Sequence, residues 1–377
     1  MSASLAGTIE DGDVLGRGLE VLRELLPPAW QIAEQSEQAE AVQGTRADTV
    51  ITIQEPRGGF AKLVVEARNA LAPRDVDTIV GSRLELLRRL DPYATVLVVA
   101  PWLSPRTREL LTARGLAYLD LTGNAVLRLE QPALFLRTDG AMQDPDPPRR
   151  GQLLLRGAGA GRVVRLLVDV RPLYTATAIA AAAGVGVPYV SRLLATLDRE
   201  ALVQRGARGL VVDVDWINLL RRRAENYDVF RSNQAQGFVA ASGARNVLDQ
   251  FRESPELYRA ITGSFVASQI APVAAPAQLT AYVDNAARTA DALGLLPADA
   301  GADVVLLTAY DYVVLDRLQV VDGLTAVGVS QLALDCLTGN GRMPAEGEAV
   351  LDWMTNAESQ WRIAGIERLP LRGEITP

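Results

Sequence analysis

Arg162-Val163-Val164-Arg165-Leu166-Leu167-Val168, then Thr175 to Gly186, then Val190-Ser191-Arg192-Leu193-Leu194-Ala195-Thr196-Leu197, form the stretch whose reading decides the fold. The first run carries apolar residues at helical spacing, and Arg171-Pro172 stops it. Thr175 stands where an N-cap belongs, before the alanine-rich run Ala176 to Ala183. Ala178 occupies the place where a capping box puts Glu, so that cap is half built. Gly184-Val185-Gly186 makes a tight turn, and Pro188 opens another helix. Its Val190, Leu193, Leu194 and Leu197 recur at i, i+3, i+4 and i+7, which leaves Tyr189, Arg192, Thr196 and Arg199 for the opposite face. Ala201 to Arg205, the turn Gly206-Ala207-Arg208-Gly209 and Leu210 to Val214 follow as a β-hairpin.

Helix, helix, turn, helix, hairpin is the order of a winged helix-turn-helix, whose second motif helix enters the major groove of DNA. The segment resembles the winged-helix domains of bacterial transcription regulators in three places: Thr175–Val185, the Val190 to Leu194 core of the reading helix, and Leu202-Val203. The resemblance implies DNA contacts from Tyr189, Ser191, Arg192, Thr196 and Arg199 on that helix and from Arg205 and Arg208 on the wing. The competing reading is a set of small helices packed for structural reasons, as in protein-binding winged helices. Charge favours DNA: residues 150–225 hold 12 arginines and six carboxylates, net +6, whereas 1–149 and 226–377 carry −5 and −8.

The whole chain narrows the chemistry. Its 377 residues call for two or three domains, here expected at 1–140, 150–225 and 226–377. No apolar run is long enough for a membrane span and no signal peptide is evident, so a cytoplasmic location is expected. Cys336 is the only cysteine, which rules out an intrachain disulfide and a thiolate metal cluster. There is no histidine at all, which removes Ser-His-Asp and Cys-His catalysis and zinc fingers together. Any catalysis must use carboxylates with an oxygen-loving ion such as Mg²⁺. Lys62 is the only lysine.

Residues 1–140 alternate short strands with helices. Helices are expected over Val14–Leu26, Val76–Leu90 and Ser104–Arg114, and strands at Trp30–Ala33, Thr49–Ile53, Ala61–Val65, Thr95–Ala100, Ala117–Leu121 and Ala125–Leu129. Asp48 opens one strand, and Glu66-Ala67-Arg68 ends the next. This αβββαβ order with Asp48…Glu66-x-Arg68 resembles the PD-(D/E)xK restriction-endonuclease-like fold, which implies an Asp and a Glu that hold Mg²⁺ and a lysine that activates water. Strand alternation puts residues 66 and 68 on one face. The lysine position is Arg68, however, and arginine stays protonated and cannot accept a proton. Lys62, four residues from Glu66, is roughly 13 Å away along a strand and too far to substitute. A degenerate, non-cleaving domain is therefore expected, a sensor or auxiliary nucleic-acid contact that needs no cofactor beyond weak Mg²⁺ binding. The same three residues also read as a salt-bridged strand end.

Asp139 to Arg150 is a proline-rich linker by composition. The glycine run Gly157 to Gly161 lacks the spacing and the lysine of a phosphate loop, so no nucleotide site is read there. Farther on, Leu219 to Ala224 reads as the end of a helix, with Arg221-Arg222-Arg223 either on phosphates or in solvent. Val304–Leu307 and Tyr312–Leu315 read as strands and Ser330–Leu337 as a helix. Val327 to Leu337 followed by Gly339-Asn340-Gly341-Arg342 resembles the C-terminal domain of AbiEi-type antitoxins, whose winged helix represses their own operon. Gly263-Ser264 is similar to the turn of nucleotidyltransferase-like folds, but only Asp284 follows where paired carboxylates are needed. The expectation is an α+β multidomain protein: a restriction-endonuclease-like α/β domain, a winged helix-turn-helix and a C-terminal α/β domain. Its expected role is a DNA-binding transcriptional regulator, a repressor or antitoxin-like autoregulator and not an enzyme. Double-stranded DNA is the main expected partner, with single-stranded or distorted DNA, a toxin protein and a second copy as further ones. The alternative is a Mg²⁺-dependent nuclease directed by its winged helix.

Overall fold

A computed structural model describes residues 11–35, 49–79, 94–146 and 155–369. The chain is α+β and divides into two compact units, Met1–Arg150 with Arg199–Ala201, and Gly151–Asp198 with Leu202–Pro377. Among the described residues no single helix is long and apolar enough to cross a membrane.

In the first unit, helix α1 (Asp11–Leu25) precedes strands β1 (Gln31–Gln35), β2 (Thr49–Gln54) and β3 (Phe60–Ala67). Helix α2 (Val76–Ile79), β4 (Thr95–Ala100), helix α3 (Pro105–Ala113), β5 (Ala117–Asp120), β6 (Ala125–Leu129) and β7 (Leu134–Thr138) follow. The seven strands lie in sequence order, with β3, β4 and β5 parallel in the middle and antiparallel hairpins on both sides. Alternation sorts each strand between two cores. Ile51, Ile53, Ala61, Leu63, Val65, Leu97, Val99 and Leu127 face α1. Val96, Val98, Ala100 and Tyr118 face α2 and α3. Helix α1 crosses β4 at Gly18, where a Cβ would collide with Val99, so only glycine allows that approach. Ser104 caps α3, accepting from the Thr107 N–H at 3.1 Å. Strand β7 was not expected. Asp48, most of the Val76–Leu90 helix and the end of the linker lie outside the described residues.

The second unit begins with helices α4 (Gly157–Asp169), α5 (Ala176–Ala183) and α6 (Val187–Arg199), strands β8 (Val203–Arg205) and β9 (Val211–Val214), and helix α7 (Trp216–Ala224). A second seven-stranded sheet follows, from α8 (Val229–Ser232) and β10 (Gln234–Val239) through α9 (Ala244–Glu253), β11 (Ala260–Thr262), α10 (Ser264–Ile270) and β12 (Leu279–Tyr282). It continues with α11 (Ala286–Leu293), β13 (Leu296–Pro297), β14 (Val304–Thr308), β15 (Gln319–Val321) and β16 (Leu324–Ala326). The strand order is β13-β10-β14-β12-β11-β16-β15, mixed, with β12 parallel to β14 and β11 parallel to β16. The run Tyr312–Leu315, expected as a strand, is a 3-10 turn. Asp311 caps it by accepting from the Val313 N–H at 3.0 Å, which overrides the β-propensity of the valines.

Helix α12 (Val329–Leu337) is buried around almost its whole circumference, and α13 (Met343–Asn356) and α14 (Glu358–Trp361) follow. The segment after α14 returns to α4. The Arg362 guanidinium donates to the carbonyls of Val168 (2.9 Å) and Val170 (3.2 Å), placing a cation at the helix C-terminus where last-turn carbonyls lack partners.

Candidate nucleic-acid interface

The arrangement of α5, α6 and the β8–β9 hairpin follows from local chemistry. Thr175 Oγ1 accepts from the Ala178 N–H at 3.2 Å and starts α5. Gly184 ends it in the left-handed region (φ 63°), which glycine enters without a Cβ penalty. The chain then turns by 117° into α6, within the range that joins the paired helices of a helix-turn-helix. Val190, Leu193, Leu194 and Leu197 are all fully buried and fix the roll of α6. The hairpin pairs Val203 with Val214 and carries a bulge at Gln204/Arg205. Tyr174 adds a third rung, accepting from the Val211 N–H at 3.0 Å.

With α6 rolled this way, the candidate residues separate. Ser191 and Arg192 are exposed, and Ala195, which the sequence did not single out, lies between Arg192 and Arg199 on the outward face. Thr196 is buried (8 % exposed), and its hydroxyl donates back to the Arg192 carbonyl at 3.3 Å. Tyr189 is half-buried, with its ring edge 3.6 Å from where a Cβ on Gly159 would sit. Burial raises its phenol pKa, and the nearby Arg223 only partly offsets this. At about 100° per residue, positions 189 and 196 are roughly a quarter turn from the centre of the apolar stripe, flanking rather than opposing it. Thr196 and Tyr189 are thus corrected from the outward face to its margins. Arg199 closes α6 and is exposed.

Arg205 and Arg208 are exposed at the hairpin turn. Arg208 sits in the left-handed region (φ 56°) and Gly209 beside it has φ 74°. The Arg205 guanidinium folds over the turn, with Nη2 2.7 Å from where a Gly209 Cβ would be.

The positive charge of residues 150–225 is less available than its sum implies. Arg162 is bidentate to Asp311 (3.0 and 2.6 Å), and Arg221 pairs with Glu348 at 2.6 Å. Arg222 pairs with Glu225 at 2.8 Å. Arg223 is buried, donating to the Leu155 carbonyl and to Tyr310 Oη (3.2 Å), so it lies in neither of the surroundings expected of it. Among the described residues no carboxylate pairs with Arg192, Arg205 or Arg208. These three form the open cationic set of the helix and hairpin.

No family model, curated protein or solved structure matches the chain. Its chemistry must be read from its own geometry.

In the first unit, Glu66 is buried at the end of β3 (1 % exposed) and ion-paired with the half-exposed Arg68. Lys62 is on the same strand face, half-buried. Asp48, the other expected metal ligand, lies outside the described residues. Among the described residues no group of three or more carboxylate, cysteine or histidine side chains is placed to hold a metal. A fixed guanidinium on the Glu66 carboxylate opposes a divalent cation there, so the residues present fit Mg²⁺ poorly. At the Gly263-Ser264 turn, the buried Ser264 hydroxyl donates to Glu346 at 2.6 Å, while Asp284 pairs with Arg259 at the surface. The Gly157–Gly161 run opens α4, and a Cβ at Gly161 would lie 2.5 Å from Tyr310 Oη. Close packing explains that glycine.

A cleft of about 700 Å³ opens over β11 and β16, walled by Leu248, Ile261, Phe265 and Leu324. Its Arg252 is already paired with Asp249 and Asp322, leaving Arg245 as its one other cation.

Sequence reasoning missed a buried polar network on α12. Asp335 accepts from Tyr227 Oη (2.8 Å), Gln331 Nε2 (2.7 Å), Thr262 Oγ1 (2.7 Å) and Tyr282 Oη (3.0 Å). Burial raises its carboxyl pKa, and these donors only partly counter that. Gln331 also accepts from Arg165 at 2.6 Å, and Arg165 pairs with Asp169 at 3.3 Å. Asp169 in turn takes Ser330 and Arg317. Burial pushes the Asp169 pKa up, but Arg317 and Arg165 outweigh it and hold the carboxyl below its ordinary range. The available signal was Ser330, Gln331 and Asp335 inside an otherwise apolar helix.

Proposed function

We propose that this chain is a sequence-specific, DNA-binding transcription regulator, with α4 to β9 as a winged helix-turn-helix, α6 as the reading helix and the β8–β9 turn as the wing. One observation carries this reading: the 117° turn into α6 presents Ser191, Arg192 and Ala195 outward, beside a hairpin whose Arg205 and Arg208 lack carboxylate partners among the described residues. An α-helix fits a major groove, and exposed guanidiniums suit both guanine edges and phosphates. Ion pairing or burial withdraws Arg162, Arg165, Arg221, Arg222 and Arg223 from that surface.

The αβββαβ order that opens the first unit supports reading it as a restriction-endonuclease-like domain, with Arg68 where that chemistry uses lysine. It acts as a sensor or auxiliary contact rather than a nuclease, since the Glu66 carboxylate is tied to an arginine that cannot take a proton. The AbiEi-like stretch around α12 supports an autoregulator, paired with a toxin or another copy of the chain. Selection of bound duplexes from a random pool by the full chain tests the reading. The expected result is one enriched motif. Salt-sensitive binding with no enriched motif would sink sequence-specific regulation, and cutting of plasmid in Mg²⁺ would restore the nuclease.

A further inference from the structure

The two faces of the first sheet differ in what they leave open. The α1 face is apolar. On the other face, α2 and α3 cover Val96, Val98, Ala100 and Tyr118. Alternation also places Phe60, Lys62 and Glu66 of β3, Arg128 of β6, and Phe135 and Arg137 of β7 on this second face. Phe60 is 60 % and Phe135 68 % exposed, large values for side chains that gain by burial.

Among the described strand residues of this face, the open charges are all cationic. Its two strand carboxylates are withdrawn: Glu66 is buried against Arg68, and Asp120 is fully buried, accepting from Leu103 N, Thr122 and Asn124 at the β5–β6 turn. The side chains left at least partly open are Lys62, Arg128 and Arg137. Arg137 has only a distant contact with Asp139 (4.0 Å), and among the described residues Lys62 and Arg128 have no carboxylate partner. Arg128 stands directly across from Phe135 in the β6–β7 register, with Arg137 two residues on along the same face. Phe60 and Lys62 border a cleft of about 510 Å³ whose other wall is Gln131-Pro132-Ala133, the turn from which β7 departs. Glu55 and Glu130 sit on the same cleft.

We infer that this sheet face binds single-stranded nucleic acid, with Phe60 and Phe135 stacking bases and Lys62, Arg128 and Arg137 following the phosphates. Bases offer the flat apolar surface that exposed phenylalanines lack, and phosphates offer the charge that unpaired cations lack. Aromatic side chains interleaved with cations at exposed strand positions are the chemistry of sequence-tolerant single-strand binding. A duplex hides its base faces and cannot stack here. This site is separate from α6 and does not depend on the reading of α6.

The test is fluorescence anisotropy of the full chain with a labelled oligo-thymidine of about 15 nucleotides. Phe60→Ala and Phe135→Ala are each expected to weaken single-strand binding about tenfold, with Phe135→Trp retaining it. Lys62→Ala with Arg128→Ala should lower the slope of log affinity against log salt by about 1.4. Arg192→Ala should leave single-strand binding unchanged, and Phe135→Ala should leave binding of the selected duplex unchanged. This double dissociation separates failure here from failure of the winged-helix reading. Single-strand affinity indifferent to both phenylalanines overturns the inference. So does tighter binding of a poly-glutamate peptide, which would make the face an acidic-protein surface, or loss of a dimer in Phe135→Ala, which would make it a self-association surface.

Discussion

Arg165 and Arg192 belong to the same net-positive block and have opposite surroundings. Arg165 is 2 % exposed and bound by Asp169, Gln331 and the carbonyls of Val313 and Asp316. Arg192 points outward, and among the described residues no carboxylate pairs with it. One arginine ties α4 to α12; the other remains available to a ligand. The difference shows that summed charge locates a binding surface only after the internally neutralised residues are removed.

The largest effect is expected at the buried member of the pair. Arg165→Ala strands Asp169 and Gln331 in the interior, and breaking a buried pair in this way costs about 3–5 kcal/mol. Chemical denaturation of the full chain measures it. A loss under about 1 kcal/mol would mean that Arg165 is hydrated or replaceable.

Next come the open cations of the β8–β9 hairpin. Replacing Arg205 and Arg208 together with alanine should lower affinity for every duplex and reduce the salt slope by about 1.8, the value for two phosphate contacts. Thermal stability should hold. An unchanged slope would place the hairpin on protein rather than DNA.

The two buried aspartates sharpen the contrast through pH. Asp169 has a lowered pKa, so its stabilisation is present above the unfolded carboxyl pKa and fades as pH falls through the folded one. Asp335 has a raised pKa, so the folded state holds its proton more tightly than the unfolded state. Its contribution is best below the unfolded pKa and declines as pH rises toward the folded value. Asp169→Asn should therefore remove part of the acid-side loss of stability, and Asp335→Asn should remove a decline on the other side. Identical pH profiles for the two variants would contradict these assignments. The smallest effect is expected at the α5 cap, where Thr175→Ala should cost about 1 kcal/mol in denaturation.

Much of this architecture is legible in the sequence wherever one period dominates. Thr95–Ala100 and Ala125–Leu129 are strands with the bounds their apolar patterns indicate, and Ser104 and Thr175 cap the helices they precede. The α6 stripe fixes the outward position of Arg192 by geometry alone. What fails is whatever depends on distant partners. Nothing near Arg165 or Arg223 announces that Gln331 and Tyr310, more than eighty residues away, will hold them inside. Strand β7 is hidden because Leu134–Thr138 is only half covered and its outward residues include an aromatic. Thr196 and Tyr189 lie at the margin of a stripe, where a helical pattern does not decide burial. Phe135 and Arg128 become a pair only once the β6–β7 register is known.

The most direct measurement sets Arg192→Ala against the wild type on the selected duplex, with unfolding followed in parallel. The account predicts a binding loss of about 1–3 kcal/mol, relaxed preference at one base position and an unchanged melting temperature. Equal affinity and equal base preference would contradict it, and α6 would then be a structural helix whose outward arginine reads nothing.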